Sequence, residues 1–561
     1  MKSNTFFKLF IIILIGLIFR LTCLDKLEGL WNDEYVSWYI ATQYNFEELI
    51  KAIFQNCHMP LYYLYIKFWL LFAPDTDLSL RYSSIIPSIF SIIMMYFCGK
   101  EISNKKVGLC AAGLTAISSF CIYFAQEVRL YSLVFLFTSV VVFYFIKAIN
   151  TPNQKNISLF FISQILLCAT HTLAIIFAFF NIIIFLYLLF SKENKQIKIA
   201  NFIKSKIKYL IPFTIGICAL FPLMQTIAFS NNLSQFWSTF TVSKIFFVFS
   251  DYFSPTQINI INTPTNLFDY LIIKNQINYS FLIFCITPTI LGGYLVYKAY
   301  KMNDTILKNL LITSLLYLLC IVSFAIAGKL VLITKYTIEI YPILIVSIAF
   351  CFNKINENKF LKYIFMALII INLSYLIFAP NSAPKLERSE GNRAVVELIN
   401  YSRLKENDVI LLTYYDKDKF IRYSKLEDKF IVKSINKFNF NNVLFDEINY
   451  FEVIKNGKTK YKHKFEEYPN KDVLEYVDKE ISPYIKSGDK VGIVFLNNVS
   501  FFSNENIKSI LKDEKKYKNT SFIFLVFSSL RNNLLYKFRQ DYTLDSTTTA
   551  GDWSLFVFEK K

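Results

Sequence analysis

The sequence predicts a mainly α protein, a polytopic bundle of about eleven transmembrane helices followed by a C-terminal α/β domain outside the membrane. Three observations predict it. Hydrophobic residues fill 54% of the 561 positions and mean hydropathy is +0.39, more apolar than a soluble globular chain of this size. Before residue 380 the excess gathers into runs long enough to cross a bilayer. After Pro380 the chain turns to Lys, Asp, Glu and Asn, broken by short apolar runs.

The expected spans cover 5–24, 79–99, 107–124, 128–147, 157–171, 173–191, 207–228, 280–299, 307–327, 330–351 and 360–379. The first follows Lys2 and Lys8, lacks a small-residue cleavage site and continues to Arg20, so it reads as an uncleaved span. Lysines then mark alternate loops: Lys100, Lys105 and Lys106; Lys147 and Lys155; Lys192 to Lys208; Lys298, Lys301 and Lys308; Lys354, Lys359 and Lys362. The positive-inside rule makes that side, with the N-terminus, cytoplasmic, in a plasma or inner membrane. Residues 25–78, the turns near 125–129 and His171, the stretch 229–279, the link near Lys329 and everything after 380 are then extracytoplasmic.

The expected boundary divides a membrane domain, 1–379, from a soluble extracytoplasmic domain, 380–561. In the second, Val409–Leu412, Lys490–Phe495, Phe522–Phe527 and Trp553–Phe558 read as buried strands, and Glu505–Lys516 as a helix. It carries no glycine-rich phosphate loop and no G-x-S-x-G, so its role is not readable.

The net charge of +18 does not point to nucleic acid, because the lysines sit in short loops between apolar runs and in the tail, where membrane lipid is the partner. Ten cysteines form no C-x-x-C pair, and only three histidines are present. No metal centre and no cofactor are expected.

Candidate chemistry gathers in the outer loops. Asp33 and Glu34 follow the first span; a carboxylate at the mouth of a partly desolvated cavity can serve as a general base, while the plain alternative is a helix cap with a solvated acid. His58 precedes Pro60-Leu61-Tyr62-Tyr63, and Arg81 opens the second span, where snorkelling is its ordinary explanation. Gln126-Glu127-Val128-Arg129-Leu130-Tyr131 interrupts two apolar runs. A buried arginine there calls for an anion, either Glu127 in a local ion pair or a ligand. Lys335-Tyr336 and Glu339 lie in another apolar run, and four-residue spacing allows Lys335 and Glu339 to pair along one helix face. His171 has no partner visible in the sequence and reads as structural.

Taken in order, these motifs resemble the GT-C superfamily of integral-membrane glycosyltransferases, in particular the branch with protein O-mannosyltransferases, the lipid A aminoarabinose transferase and lipopolysaccharide-core transferases. The likeness spans about residues 5–350 and rests on Asp33-Glu34, His58-Met59-Pro60-Leu61-Tyr62-Tyr63, Arg81 with Pro87, the Gln126–Tyr131 turn, and Lys335-Tyr336 with Tyr341-Pro342. It implies a sugar donor carried on a polyprenyl phosphate, a glycan, lipid or protein acceptor, transfer on the extracytoplasmic face and inversion at the anomeric carbon. Asp33 is then the base and Glu34 its positioning neighbour. His58, Arg81, Arg129 and Lys335 become contacts to the donor phosphate, and Gln126, Glu127, Tyr131 and Tyr336 position substrate. One departure stands out: His58 occupies a place where the aminoarabinose branch carries lysine, and a histidine is neutral or charged according to its surroundings.

Two other classes remain open at this stage. A transporter or flippase would use Arg129, Lys335 and Glu339 as a path, although the charges gather at one face and no pair of broken helices sits in corresponding halves. A non-catalytic anchor would tolerate any residue at Asp33.

Overall fold

The computed structural model describes residues 2–24, 29–56, 59–191, 242–254, 272–273, 276–327, 332–354 and 358–379, and beyond these chiefly 392–400, 409–412, 431–434, 490–496, 542–550 and 553–560. Residues up to 387 and those from 388 onward fall mainly into two compact units.

The first unit is helical. Helix α1 is Lys2–Leu21; α2, Asn32–Gln43, α3, Phe46–Asn56, and α4, Pro60–Trp69, are short; α5, Asp77–Ile102, is the longest at 26 residues. There follow α6, Lys105–Ile117, α7, Ser119–Ala125, α8, Tyr131–Asn150, α9, Gln154–Cys168, and α10, Ala174–Ser191. Helix α11 is Val242–Phe253, α12 is Tyr279–Lys301 with a π turn near its start, α13 is Thr305–Ile326, α14 is Tyr341–Phe350 and α15 is Lys359–Phe378.

Among the described residues five helices, α5, α8, α12, α13 and α15, are long and apolar enough to cross a membrane, or six if α6 and α7, bent by 58°, count as one broken span. The sequence expectation is about eleven, and much of the difference has identifiable causes. Ser118 breaks the expected span 107–124, where its side chain caps α7 by accepting from Cys121 N. The span 157–171 yields a helix of 15 residues, and 330–351 yields two 3₁₀ turns before a helix of 10. The expected span 207–228 lies outside the described residues. Hydropathy counts apolar residues and does not see a polar side chain turning the backbone out of register.

Polar residues set the helix starts. Asn104, Asn153, Asp304 and Asn358 each accept backbone N–H groups of the following first turn, just before α6, α9, α13 and α15. Helices α5 and α6 then pack closely because two glycines face each other. A Cβ on Gly99 would lie 2.8 Å from the Val107 carbonyl oxygen, and one on Gly108 would lie 2.5 Å from that of Tyr96.

The second unit holds a five-stranded mixed sheet in the order 431–434, 409–412, 490–496, 553–560, 542–550. Its first three strands run parallel and its last two antiparallel to their neighbours. Val409–Leu412, Lys490–Leu496 and Trp553–Lys560 fall on the expected apolar runs. Expected strand Phe522–Phe527 and helix Glu505–Lys516 lie outside the described residues. Tyr542–Ala550 was not foreseen: its Thr- and Ser-rich sequence lacks an apolar signature, and it is an edge strand with a bulge between Leu544 and Ser546.

Candidate functional site

Helix α2 begins with Asn32, so Asp33 and Glu34 fall in its first turn, where free N–H groups favour negative charge. Neighbours on a helix point about 100° apart, and the two carboxylates meet different surroundings. Glu34 is fully buried. Its Oε1 accepts from Arg81 Nη1 and from the Val128 amide, both at 2.8 Å, and its Oε2 from Arg81 Nη2 at 3.2 Å and the Trp31 amide at 3.1 Å. Arg81, only 1% exposed, also donates to the carbonyls of Gly29 at 2.8 Å and Gln126 at 2.5 Å. One bidentate ion pair thereby joins the start of α2, the second turn of α5 and the 126–129 turn.

Asp33 points elsewhere. Its side chain is 36% exposed, and its Oδ2 lies 3.3 Å from Lys335 Nζ and 3.8 Å from Arg129 Nη2. Arg129 also donates through Nη1 to the Asp33 carbonyl at 3.0 Å and to Ser37 Oγ at 2.8 Å. Its buried Nε has no hydrogen-bond partner. The Lys335 ammonium sits 5.7 Å from the Trp31 ring centroid, 5.9 Å from Tyr131 and 5.5 Å from Tyr336, an aromatic collar within cation–π range. Burial works against that ammonium, and the Asp33 carboxylate at 3.3 Å favours its charged form. Trp31 is held in turn by its indole N–H, which donates to Glu127 Oε1 at 3.1 Å.

Tyr62 and Tyr63, on α4, are buried within the electrostatic reach of Arg129. Burial raises both phenols, Tyr63 to about 12, with Arg129 acting in the opposite direction, so both keep their protons at neutral pH.

Lys335 rides on two 3₁₀ turns, Thr334–Tyr336 and Ile338–Ile340, that precede α14 and its N-terminal Pro342. The strap is tied down by polar contacts from two other helices, α11 and α13, and a turn. Thr334 Oγ1 donates to Asp251 at 2.6 Å, and the Tyr252 hydroxyl lies 2.6 Å from the Thr337 carbonyl. The Tyr317 hydroxyl donates to the Tyr336 carbonyl at 2.9 Å and approaches Glu339 Oε2 at 3.2 Å. His171 Nδ1 lies 2.5 Å from Glu339 Oε1, with both residues buried.

The structure thus brings Asp33, Arg129, Lys335, Tyr131 and Tyr336 together, with Gln126 and Glu127 in the supporting turn. Gln126 donates to the carbonyls of Arg20 at 3.2 Å and Thr22 at 3.0 Å, tying the turn to the end of α1. His58 lies outside the described residues. Two expectations change. Lys335 pairs with Asp33 while Glu339 meets His171, because the 3₁₀ backbone replaces the helix that would have aligned Lys335 with Glu339. Arg81 is not a snorkelling residue; it is buried and its terminal nitrogens are occupied by Glu34 and two carbonyls. Sequence reasoning missed Trp31, Ser37 and the His171–Glu339 contact. Only the last had a signal, a buried-looking histidine and a buried-looking glutamate each without a local partner.

Among the described residues no group of three or more His, Cys, Asp or Glu is placed to hold a metal ion. No protein-family model and no curated protein matches the chain. Among solved structures it is similar to the archaeal oligosaccharyltransferase AglB from Archaeoglobus fulgidus in complex with an inhibitory peptide and a dolichol-phosphate. Identity is 10% and TM-score 0.43, over 100% of this chain and 74% of that one. The apo oligosaccharyltransferase of the same organism gives 11% identity and TM-score 0.45, over 92% of this chain and 72% of that one. At such scores the likeness carries no argument about this chain, and its chemistry has to be argued from the residues.

Proposed function

We propose that the chain is an inverting GT-C-type glycosyltransferase that moves a sugar from a polyprenyl-phosphate donor to an acceptor hydroxyl on the extracytoplasmic face, in glycan, lipid or protein glycosylation of the cell envelope. Its membrane domain would be residues 1–379, and residues 380–561 a soluble extracytoplasmic domain. The observation that carries the reading is a partly exposed carboxylate, Asp33, meeting two largely buried cations, Arg129 and Lys335, from 96 and 302 positions away in the chain. Desolvated cations held this way are costly unless they serve an anion.

In this reading Asp33 takes the proton of the acceptor hydroxyl, whose oxygen forms a bond to the anomeric carbon. The bond from that carbon to the phosphate oxygen breaks, and its electron pair leaves with the polyprenyl phosphate. The departing phosphate gains negative charge, which Arg129, with a bidentate fork, and Lys335, as a point charge, stabilise in a low-dielectric site. Glu34 and Arg81 satisfy each other, which assigns them to holding the site rather than to touching the donor. His58 keeps its proposed place beside the phosphate, and Gln126, Glu127, Tyr131 and Tyr336 shape the pocket.

Inversion needs base and leaving phosphate on opposite faces of the anomeric carbon. Asp33 within 4 Å of both cations leaves no room for a sugar between them. Donor binding must therefore exchange the Asp33 contacts for phosphate contacts, freeing the carboxylate for the acceptor. The test is purified protein in lipid nanodiscs, given labelled undecaprenyl-phosphate sugars and an extract of envelope acceptors. Transfer by the native chain and none by Asp33→Ala is expected; full transfer by Asp33→Ala would sink the base assignment.

A further inference from the structure

The Asp33 crevice depends on where the 334–340 strap puts Lys335, and the strap is built of two short 3₁₀ turns rather than an α-helix. Its inner side carries Glu339, which is fully buried. A buried carboxylate is tolerated when it is paired and hydrogen-bonded. Both oxygens are engaged, Oε1 by His171 Nδ1 at 2.5 Å and Oε2 by the Tyr317 hydroxyl at 3.2 Å. The same hydroxyl lies 2.9 Å from the carbonyl of Tyr336, next to Lys335. His171 itself sits in the turn after α9, and the preceding residue but one, Ala169, accepts the Leu61 amide at the start of α4 at 3.0 Å. One turn thus anchors both the Lys335 strap and the Pro60–Tyr63 segment that follows His58.

We infer that His171, Glu339 and Tyr317 are positioning residues that hold the Lys335 ammonium at the proposed phosphate site through their buried contact with the strap. An apolar residue at 339 would pack the same space at lower desolvation cost. What it would lack is direction: a charge-assisted bond defines where the turn sits to within a few tenths of an ångström, and hydrophobic packing does not. With the anchor lost, the strap keeps the Thr334–Asp251 and Thr337–Tyr252 contacts but loses its hold at Tyr336 and Glu339, and Lys335 is held less firmly against Asp33.

This inference rests on the reading of Lys335 as a phosphate contact, so two readouts are needed. The first requires no ligand: the rate at which an amine-reactive ester labels Lys335 in the full chain, followed by peptide mass spectrometry. His171→Ala and Tyr317→Phe should each raise that rate about tenfold, as expected for a coupled contact. Tyr317→Phe keeps the ring and removes only the hydroxyl, so it reports even if His171→Ala fails to fold. The second readout is the affinity for undecaprenyl phosphate in nanodiscs. Tyr317→Phe should weaken it about tenfold in the native background and leave it unchanged in a Lys335→Ala background. Glu339→Gln, which preserves an acceptor, should lie closer to native than Glu339→Ala. Labelling at the native rate in Tyr317→Phe, or equal losses with and without Lys335, would overturn the positioning role. Absence of undecaprenyl phosphate binding by the native chain, together with faster Lys335 labelling in the variants, would retain the positioning role and overturn the donor assignment.

Discussion

Two carboxylates adjacent in sequence end up in opposite situations. Glu34 is buried and its oxygens take four bonds from Arg81, Trp31 and Val128; Asp33 is partly exposed beside Arg129 and Lys335. The two arginines divide in the same way. Arg81 spends its terminal nitrogens on Glu34 and two carbonyls, while Arg129 keeps a buried Nε without a hydrogen-bond partner. A saturated pair holds structure, and an incompletely used one has capacity for a ligand. The sequence does not foresee this division: it reads Arg81 as a snorkelling residue and sets Glu34 beside Asp33 as its positioning neighbour.

The sharpest way to break this contrast is at Asp33. Asp33→Ala should lower transfer by about 10² to 10⁴-fold, the usual contribution of a positioned general base, read in the nanodisc transfer assay. Next comes the saturated pair. Arg81→Ala strands Glu34 without its counter-charge and should cost about 3–5 kcal/mol, read as loss of folded protein in detergent chromatography. The double change Glu34→Gln with Arg81→Met should recover much of that loss, since it removes both charges together and leaves neither buried without its partner, while the new amide carbonyl can still accept from Val128 or Trp31.

Arg129→Lys should weaken undecaprenyl phosphate binding by about tenfold through loss of the bidentate fork, with smaller effects on folding. Ser37 offers a finer test. Its Oγ accepts from Arg129 and donates to the Asp33 carbonyl at 2.9 Å. Ser37→Ala should cost about 1 kcal/mol of donor affinity, that of an ordinary hydrogen bond. The smallest effect concerns pH. A lysine ammonium is ordinarily charged up to about pH 10, and its ion pair with the Asp33 carboxylate favours that form. Donor affinity should therefore show no loss traceable to Lys335 between pH 7 and 9; a fall there that vanishes in Lys335→Ala would contradict the pairing of its ammonium with Asp33.

Much of the helical architecture was legible because long apolar runs have few alternatives to helix in a membrane. Helices α5, α8, α13 and α15 fall close to the expected runs. The breaks at Ser118 and along 334–340 were not legible, since each depends on a side chain or turn finding polar partners far away in the chain. In the second unit, apolar strands stood out and the polar edge strand Tyr542–Ala550 did not. In the candidate site, Asp33, Arg129 and Lys335 drew attention as charges in apolar surroundings, which their desolvation cost makes conspicuous. Lys335 with Glu339 was the plausible local pair, and it is absent because the strap is not an α-helix.

By itself the sequence determined that this chain is mostly helical, apolar enough to enter a membrane, and marked by a few charges that such surroundings do not bear without compensation. Tertiary structure alone decided the pairings: Glu34 with Arg81, Asp33 with Arg129 and Lys335, Glu339 with His171. The physical reason is range. Hydrophobic burial follows from local composition, whereas the partner of a charge is whichever opposite charge the folded backbone brings within about 4 Å.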